Sequence, residues 1–223
     1  MIYWIIFGAI AILSIVVQQV LKAKFNKYSK VSLPMTGRQV AEKMLRDNGI
    51  TDVTVISTDG QLTDHYNPTN KTINLSEGVC DSATVAAAAV AAHECGHAIQ
   101  HADQYAPLSF RSKMVPVLSV TNRWMSWILL AGMLLLNYTP IPLAFGVVLF
   151  GLTTLFSFIT LPVEVDASRR AVKWLEDTGI TNRQTTEMAS DALHWAAYTY
   201  VVAALASLAN LLYYIFLLLG RRD

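Results

Sequence analysis

Four runs of apolar residues, each about as long as a bilayer is thick, constrain this chain more than any other feature. A helix needs about 20 predominantly apolar residues to cross the hydrocarbon core. Such runs occupy residues 2–21, 115–136, 141–161 and 192–219. With 53% hydrophobic and 15% charged residues, the composition departs from that of ordinary soluble domains. The second run is the weakest, because Asn122 and Arg123 interrupt its start. The last is longer than a span needs, so its first turns are expected to project beyond the lipid. The first lacks a basic stretch before it and a small-residue cleavage site after it, so it reads as an uncleaved anchor rather than a signal peptide. The expected fold class is therefore an integral-membrane, mainly α-helical protein with about four transmembrane helices and a small α+β part. Expected divisions are an anchor at 1–21, the α+β part at 22–114, two spans at 115–161, a helical segment at 162–191, and a last span with tail at 192–223.

Charge sets the expected orientation. Lys22, Lys24, Lys27 and Lys30 follow the first run, and Arg169, Arg170 and Lys173 follow the third. The turn Asn137-Tyr138-Thr139-Pro140 carries no charge. The excess of Lys and Arg on one side puts that side in the cytosol. The N-terminus is then outside and residues 22–114 are cytosolic. A net charge of +1, with no basic patch interleaved with aromatics, argues against nucleic acid as a partner.

Within the α+β part, Thr36 caps an expected helix over 37–47, stopped by Asn48-Gly49. Val53-Thr54-Val55-Ile56 reads as a strand. Residues 62–66 and 71–75 flank Asn67-Pro68-Thr69-Asn70 as a hairpin. The strand Thr72-Ile73-Asn74-Leu75 leads towards the metal helix, where it either edges a cleft and pairs with extended peptide or belongs to a plain structural hairpin. The hairpin's His65 is read as a surface residue, not a ligand.

The chemistry is concentrated in Ala92-His93-Glu94-Cys95-Gly96-His97-Ala98, which contains His-Glu-x-x-His. A helix turns about 100° per residue, so His93 and His97 lie about 40° apart and can share one zinc ion. Glu94 flanks the same face, where it can act as general base toward water at that ion. The preceding Ala-rich stretch is strongly helix-forming, and Asp81-Ser82 offers an N-cap. Cys95 points about 200° away from His93. Cys80 and Cys95 are read as buried free thiols.

A catalytic zinc takes three protein ligands and keeps one open position. His101 shares the face of His93 and His97 but lies about 12 Å along the axis from His93. Nothing in Ala98-Ile99-Gln100 breaks the helix, so His101 is read as supporting the site or lining its mouth. Glu164 is the better third ligand. It follows two spans and so returns to the membrane face of His93, with Asp166 as its local competitor. A further helix is expected over 166–176, and another from Thr181 into the last span. Residues 41–51 resemble 171–181, which is read as shared helix-stop chemistry rather than a repeat.

Taken together, residues 93–102, Leu161-Pro162-Val163-Glu164, Ala167-Ser168-Arg169-Arg170-Ala171 and Thr199-Tyr200-Val201 resemble the YugP-type neutral zinc metallopeptidases of bacterial membranes. Leu62-Thr63-Asp64-His65-Tyr66, Leu75-Ser76-Glu77 and the ending Arg221-Arg222-Asp223 fit as well. The resemblance covers nearly the whole chain and implies a multi-pass bacterial cell-membrane, zinc-dependent peptidase. A remoter likeness is to HtpX-type membrane proteases, whose third ligand lies in Glu-x-x-Ala-Asp. Here that stretch reads Glu164-Val165-Asp166-Ala167-Ser168. Ser168 stands where that pattern has its ligand-supporting Asp, so Asp166 or Ser168 is expected to do that work.

The expected activity is that of a zinc metalloendopeptidase, gluzincin-like, acting at the cytosolic membrane face on peptides or membrane proteins. Zn2+ is the expected cofactor and the lipid bilayer the expected surroundings, while oligomeric state is not legible. His93, His97 and Glu164 are the expected ligands and Glu94 the base. On the last helix, Glu187, Asp191, His194 and Tyr198 share one narrow face. That face is expected to meet the zinc, with His194 or Tyr198 donating to the oxyanion. The alternative is a non-catalytic zinc-binding membrane scaffold. A transporter is disfavoured, because ionisable residues inside the spans are few.

Overall fold

The computed structural model describes residues 2–60 and 63–220. Leu62 of the expected hairpin and the ending Arg221-Arg222-Asp223 lie outside the described residues. The fold is mainly helical, with a small sheet. Its elements are α1 (Ile2–Tyr28), α2 (Gly37–Asp47), β1 (Thr54–Thr58), β2 (His65–Asn67), β3 (Thr72–Ser76), α3 (Glu77–Cys80), α4 (Val85–Ala102), α5 (Ala106–Leu135), α6 (Ile141–Asp177) and α7 (Arg183–Leu219).

The chain divides into two compact units. One comprises Met1–Val16, Ser109–Leu161 and Thr199–Asp223, and the other Val17–Leu108 and Pro162–Tyr198. Among the described residues, three helices are long and apolar enough to cross a membrane: Tyr3–Tyr28, Ile141–Asp177 and Arg183–Leu219. The expected second span falls on α5, a 30-residue helix containing Pro116. Asn122 and Arg123 dilute its apolar run, and α5 is not among those three.

The first unit is built by close helix contacts. A Cβ at Gly132 of α5 would lie 2.6 Å from the Cα of Leu143 on α6, so only glycine lets these backbones approach. Thr154 Oγ1 lies 2.8 Å from Ser207 Oγ, linking α6 to α7. Tyr3 packs edge-on against Tyr213, with ring centroids 5.6 Å apart.

The second unit holds the larger core. Val40, Met44 and Leu45 on one face of α2 meet the Ala-rich face of α4, Ile73 and Leu75 of β3, and Ala171 and Leu175 of α6. α2 forms because Thr36 caps it in a capping box with Gln39, an arrangement that satisfies two otherwise orphaned backbone donors. Gly49, at φ +70°, and Gly179, at φ +67°, stop α2 and α6 in the same way. The amide of Gly49 returns to the Arg46 carbonyl and that of Gly179 to the Glu176 carbonyl, both at 3.0 Å, so the likeness of 41–51 to 171–181 is a shared stop.

The sheet order is β1-β3-β2. β1 runs parallel to β3, and β2 antiparallel to it with Tyr66 opposite Ile73. β2 and β3 form the expected hairpin, but β3, paired on both sides, is the central strand and cannot be the cleft edge expected of residues 72–75; the edge strand is β2. β1 begins at Thr54 and runs to Thr58, two residues further than the expected strand.

Three helix boundaries differ from expectation. Thr84, not Asp81-Ser82, caps α4 by accepting from the Ala87 amide at 3.3 Å. Asp81 instead closes α3, and Leu33 and Val85 donate across to Ala83 and Val31. These bonds keep residues 83–84 extended. Asn182, not Thr181, caps α7, accepting from the Thr185 amide at 3.0 Å. The helix expected over 166–176 is the continuation of α6, which runs unbroken through Pro162. Proline forfeits one helical hydrogen bond. Burial of Val163 and Ala167, both fully enclosed, offsets that loss.

Candidate metal centre

The site lies within the second unit, where α4 meets α6. Gly96 sits between the two histidines of α4. A Cβ there would lie 2.6 Å from the carbonyl oxygen of Ala167 and 3.0 Å from its Cα. Both are backbone atoms that cannot swing aside, so glycine is what lets α6 approach at the level of His93 and His97. Three residues before Ala167, almost one helical turn, Glu164 reaches the same place.

His93 Nε2 lies 3.2 Å from Glu164 Oε2, and His97 Nε2 lies 3.5 Å from the same oxygen. The imidazoles meet at 81° with centroids 4.8 Å apart. These three residues are the group whose donor atoms all lie within 4.8 Å of one another among the described residues. Zinc binds His nitrogen at about 2.0–2.1 Å and carboxylate oxygen at about 2.0–2.2 Å. Tetrahedral ligands at such bond lengths stand about 3.3 Å from each other, which the two separations from Glu164, 3.2 and 3.5 Å, match. The donor set and spacing therefore fit a zinc ion. Burial pushes the Glu164 carboxyl upward, but hydrogen bonds from His93 and His97 outweigh it and hold it well below the usual carboxylate range. Burial likewise lowers the His97 pKa, yet Glu164 and the charge of Glu94 raise it overall.

Glu94 is buried beside this cluster. Its Oε2 accepts a hydrogen bond from the Tyr66 amide at 2.9 Å, so β2 fixes the carboxylate from the sheet side. Cys95 turns the other way, donating its thiol to the Ala41 carbonyl at 3.5 Å. Burial and the nearby Glu94 charge hold that thiol well above its usual pKa. Both cysteines are free and buried.

The other residues singled out in the sequence take distinct places. His101 does not join the cluster's spacing. Its Nδ1 lies 2.8 Å from the Tyr66 hydroxyl. His65 Nδ1 lies 2.7 Å from the Thr63 carbonyl, on the surface. Ser168 Oγ lies 3.1 Å from His93 Nδ1, whereas Asp166 accepts from Gln100 at 2.9 Å and from Arg170 at 2.7 Å. On α7, Asp191 Oδ2 accepts from Tyr28 at 2.5 Å and pairs with Lys24 at 2.8 Å. Exposed Glu187 lies 3.5 Å from Arg183. Exposed His194 lies 3.2 Å from Ser190, and exposed Tyr198 packs edge-on against Trp195. The contacts described for this stripe are with α1 and within α7, not with His93, His97 or Glu164.

Two participants were not legible beforehand. Gln100 is fully buried and Oε1 lies 3.0 Å from His97 Nδ1. Its position three residues after His97, on an otherwise small-residue helix, was the available signal. The Tyr66 amide is a main-chain group, and no residue type announces it.

The profile of a family described as "Putative neutral zinc metallopeptidase" matches residues 3–219. The "Putative membrane protease YugP" of Bacillus subtilis (strain 168) is 41% identical over 204 residues, covering 91% of this chain and 90% of that protein. No solved structure matches the chain.

Proposed function

This chain belongs to the neutral zinc metallopeptidase family, with zinc as its cofactor, and we propose that it is a membrane-embedded endopeptidase. His93, His97 and Glu164 hold the metal, in the manner of gluzincins, and Glu94 is the general base. The observation that carries this reading is the convergence of both Nε2 atoms on one Glu164 oxygen, with Glu94 fixed alongside by the Tyr66 amide. Zinc bound there supplies Lewis-acid polarisation of the scissile carbonyl and lowers the pKa of water. Glu94 takes a proton from the attacking water as its oxygen bonds to the carbonyl carbon. It then delivers that proton to the amine nitrogen as the C–N bond breaks. His194 or Tyr198 is the proposed oxyanion donor.

Substrates are proposed to be extended, unfolded segments of peptides or membrane proteins. In an antiparallel pair, one residue's N–H and C=O point to the same side. The Tyr66 amide points at Glu94, so the Tyr66 carbonyl faces that side too and is placed to accept from a peptide laid along β2. The second reading, a non-catalytic zinc scaffold, binds the same metal without hydrolysis. One assay separates them: purified protein in detergent, an unfolded protein substrate, and new N-termini read by mass spectrometry. Cleavage that stops on chelation supports the peptidase. Zinc binding without cleavage supports the scaffold. In the same assay, loss of an oxyanion donor lowers kcat by about 100- to 1000-fold. His194→Ala and Tyr198→Phe that both stay within a few-fold of the parent at full zinc loading exclude the α7 stripe from that role.

We further propose four spans, including α5, in the cell membrane of a bacterium, with the site on the cytosolic side. The basic residues after the first and third apolar runs support this orientation. A cysteine placed at Thr139 is expected to react with an impermeant thiol reagent on intact cells, and one at Asn70 is not. Labelling at position 70 alone would put the site on the outer face.

A further inference from the structure

Gln100 of α4 is fully buried, and all of its described side-chain bonds are to the metal centre and its support. Nε2 donates to the Val163 carbonyl at 2.8 Å and to Asp166 Oδ2 at 2.9 Å. Oε1 lies 3.0 Å from His97 Nδ1. Asp166 is itself held by Arg170 Nε at 2.7 Å, and Arg170 Nη1 reaches Asp103 at 2.6 Å.

A carboxamide has one donating end and one accepting end. Both partners at Nε2 are acceptors, a main-chain carbonyl and the Asp166 Oδ2 that also accepts from Arg170. Turning the amide over would set oxygen against oxygen twice, so Oε1 must face His97. His97 Nδ1 then carries a proton and donates it to Oε1. In the neutral ring the lone pair is left on Nε2, the atom 3.5 Å from Glu164 Oε2. The Ser168 hydroxyl beside His93 imposes no such choice, because a hydroxyl both donates and accepts.

We infer that Gln100 is a positioning residue that fixes the tautomer of His97, and through Val163 and Asp166 holds α6 so that Glu164 meets that ring. The inference rests on the ligand set proposed above. Outer partners of a ligating histidine act in this way, and their loss costs about 10- to 100-fold in metal affinity or activity. The network binds α4 to the residue immediately before Glu164, so one side chain aligns two ligands from two helices.

Two measurements on the full chain in detergent test this. The first is a long-range 1H–15N spectrum of the zinc-loaded parent, with each histidine assigned by substitution. A proton on His97 Nδ1, with Nε2 engaged by zinc, is expected. A proton on Nε2 overturns the inference. The second is the zinc dissociation constant by chelator competition. Gln100→Leu should bind zinc about 10- to 100-fold more weakly. A residue that only packs would lower the unfolding temperature of Gln100→Leu and leave its zinc dissociation constant unchanged, which overturns the inference. If Gln100→Leu does not fold, the spectrum of the parent decides. Both readouts report zinc rather than hydrolysis. A chain that binds zinc through His97 and cleaves nothing would refute the peptidase and leave this inference standing.

Discussion

Glu94→Gln is expected to keep a full complement of zinc and to lose about 100- to 10,000-fold in kcat, the range that general-base catalysis contributes. The substitution preserves the size of the side chain. Its amide oxygen can still accept from the Tyr66 amide, which lies 2.9 Å from Oε2 in the parent. The metal ligands are His93, His97 and Glu164 in this account, so none of them changes. What is lost is the ability to accept a proton. Measuring zinc per chain and kcat on one preparation checks both halves. A variant that cleaves as fast as the parent would show that another group takes the proton.

Glu164→Ala is expected to weaken zinc binding by about 100-fold or more, against a modest loss for His101→Ala. Zinc sites built from protein ligands are worth about 10–16 kcal/mol, so removing one of three ligands costs on the order of 3 kcal/mol or more. Removing the Glu164 carboxylate also leaves the His93 and His97 nitrogens without their shared partner. His101 touches the Tyr66 hydroxyl instead. Its loss loosens β2 against α4 without subtracting a donor from the cluster. Chelator competition on the two variants gives the ranking. The reverse order would mean that His101 ligates in place of Glu164.

Much of this was legible because it depends on local chemistry. The spacing of His93 and His97 on a helix follows from helical geometry. Thr36 and Gln39 form the box that their spacing implies. Cys95 faces α2, as its phase on α4 requires. The Leu161-Pro162-Val163-Glu164 stretch pointed to Glu164, which lies beside both histidines. What escaped depends on contacts across the sequence. α6 passes through Pro162 because buried neighbours offset the missing bond, and a local proline rule cannot see them. Helical phase put Asp191, His194 and Tyr198 on one face but could not say which neighbour that face meets. Asp191 is bound by Lys24 and Tyr28 of α1, two residues whose place beside α7 only tertiary packing determines. Gln100 reads as an ordinary polar residue until Val163 and Asp166 are seen on either side of its amide.

If one zinc at His93, His97 and Glu164 performs peptide hydrolysis, activity must follow metal occupancy in a zinc titration. Purified protein stripped by a chelator is titrated with zinc while cleavage of an unfolded substrate is followed. Hydrolysis should be absent at the start, rise in proportion to added zinc, and level off at one zinc per chain. Cleavage that persists in the stripped protein, or that does not respond to zinc, would show that hydrolysis does not depend on a zinc at this site.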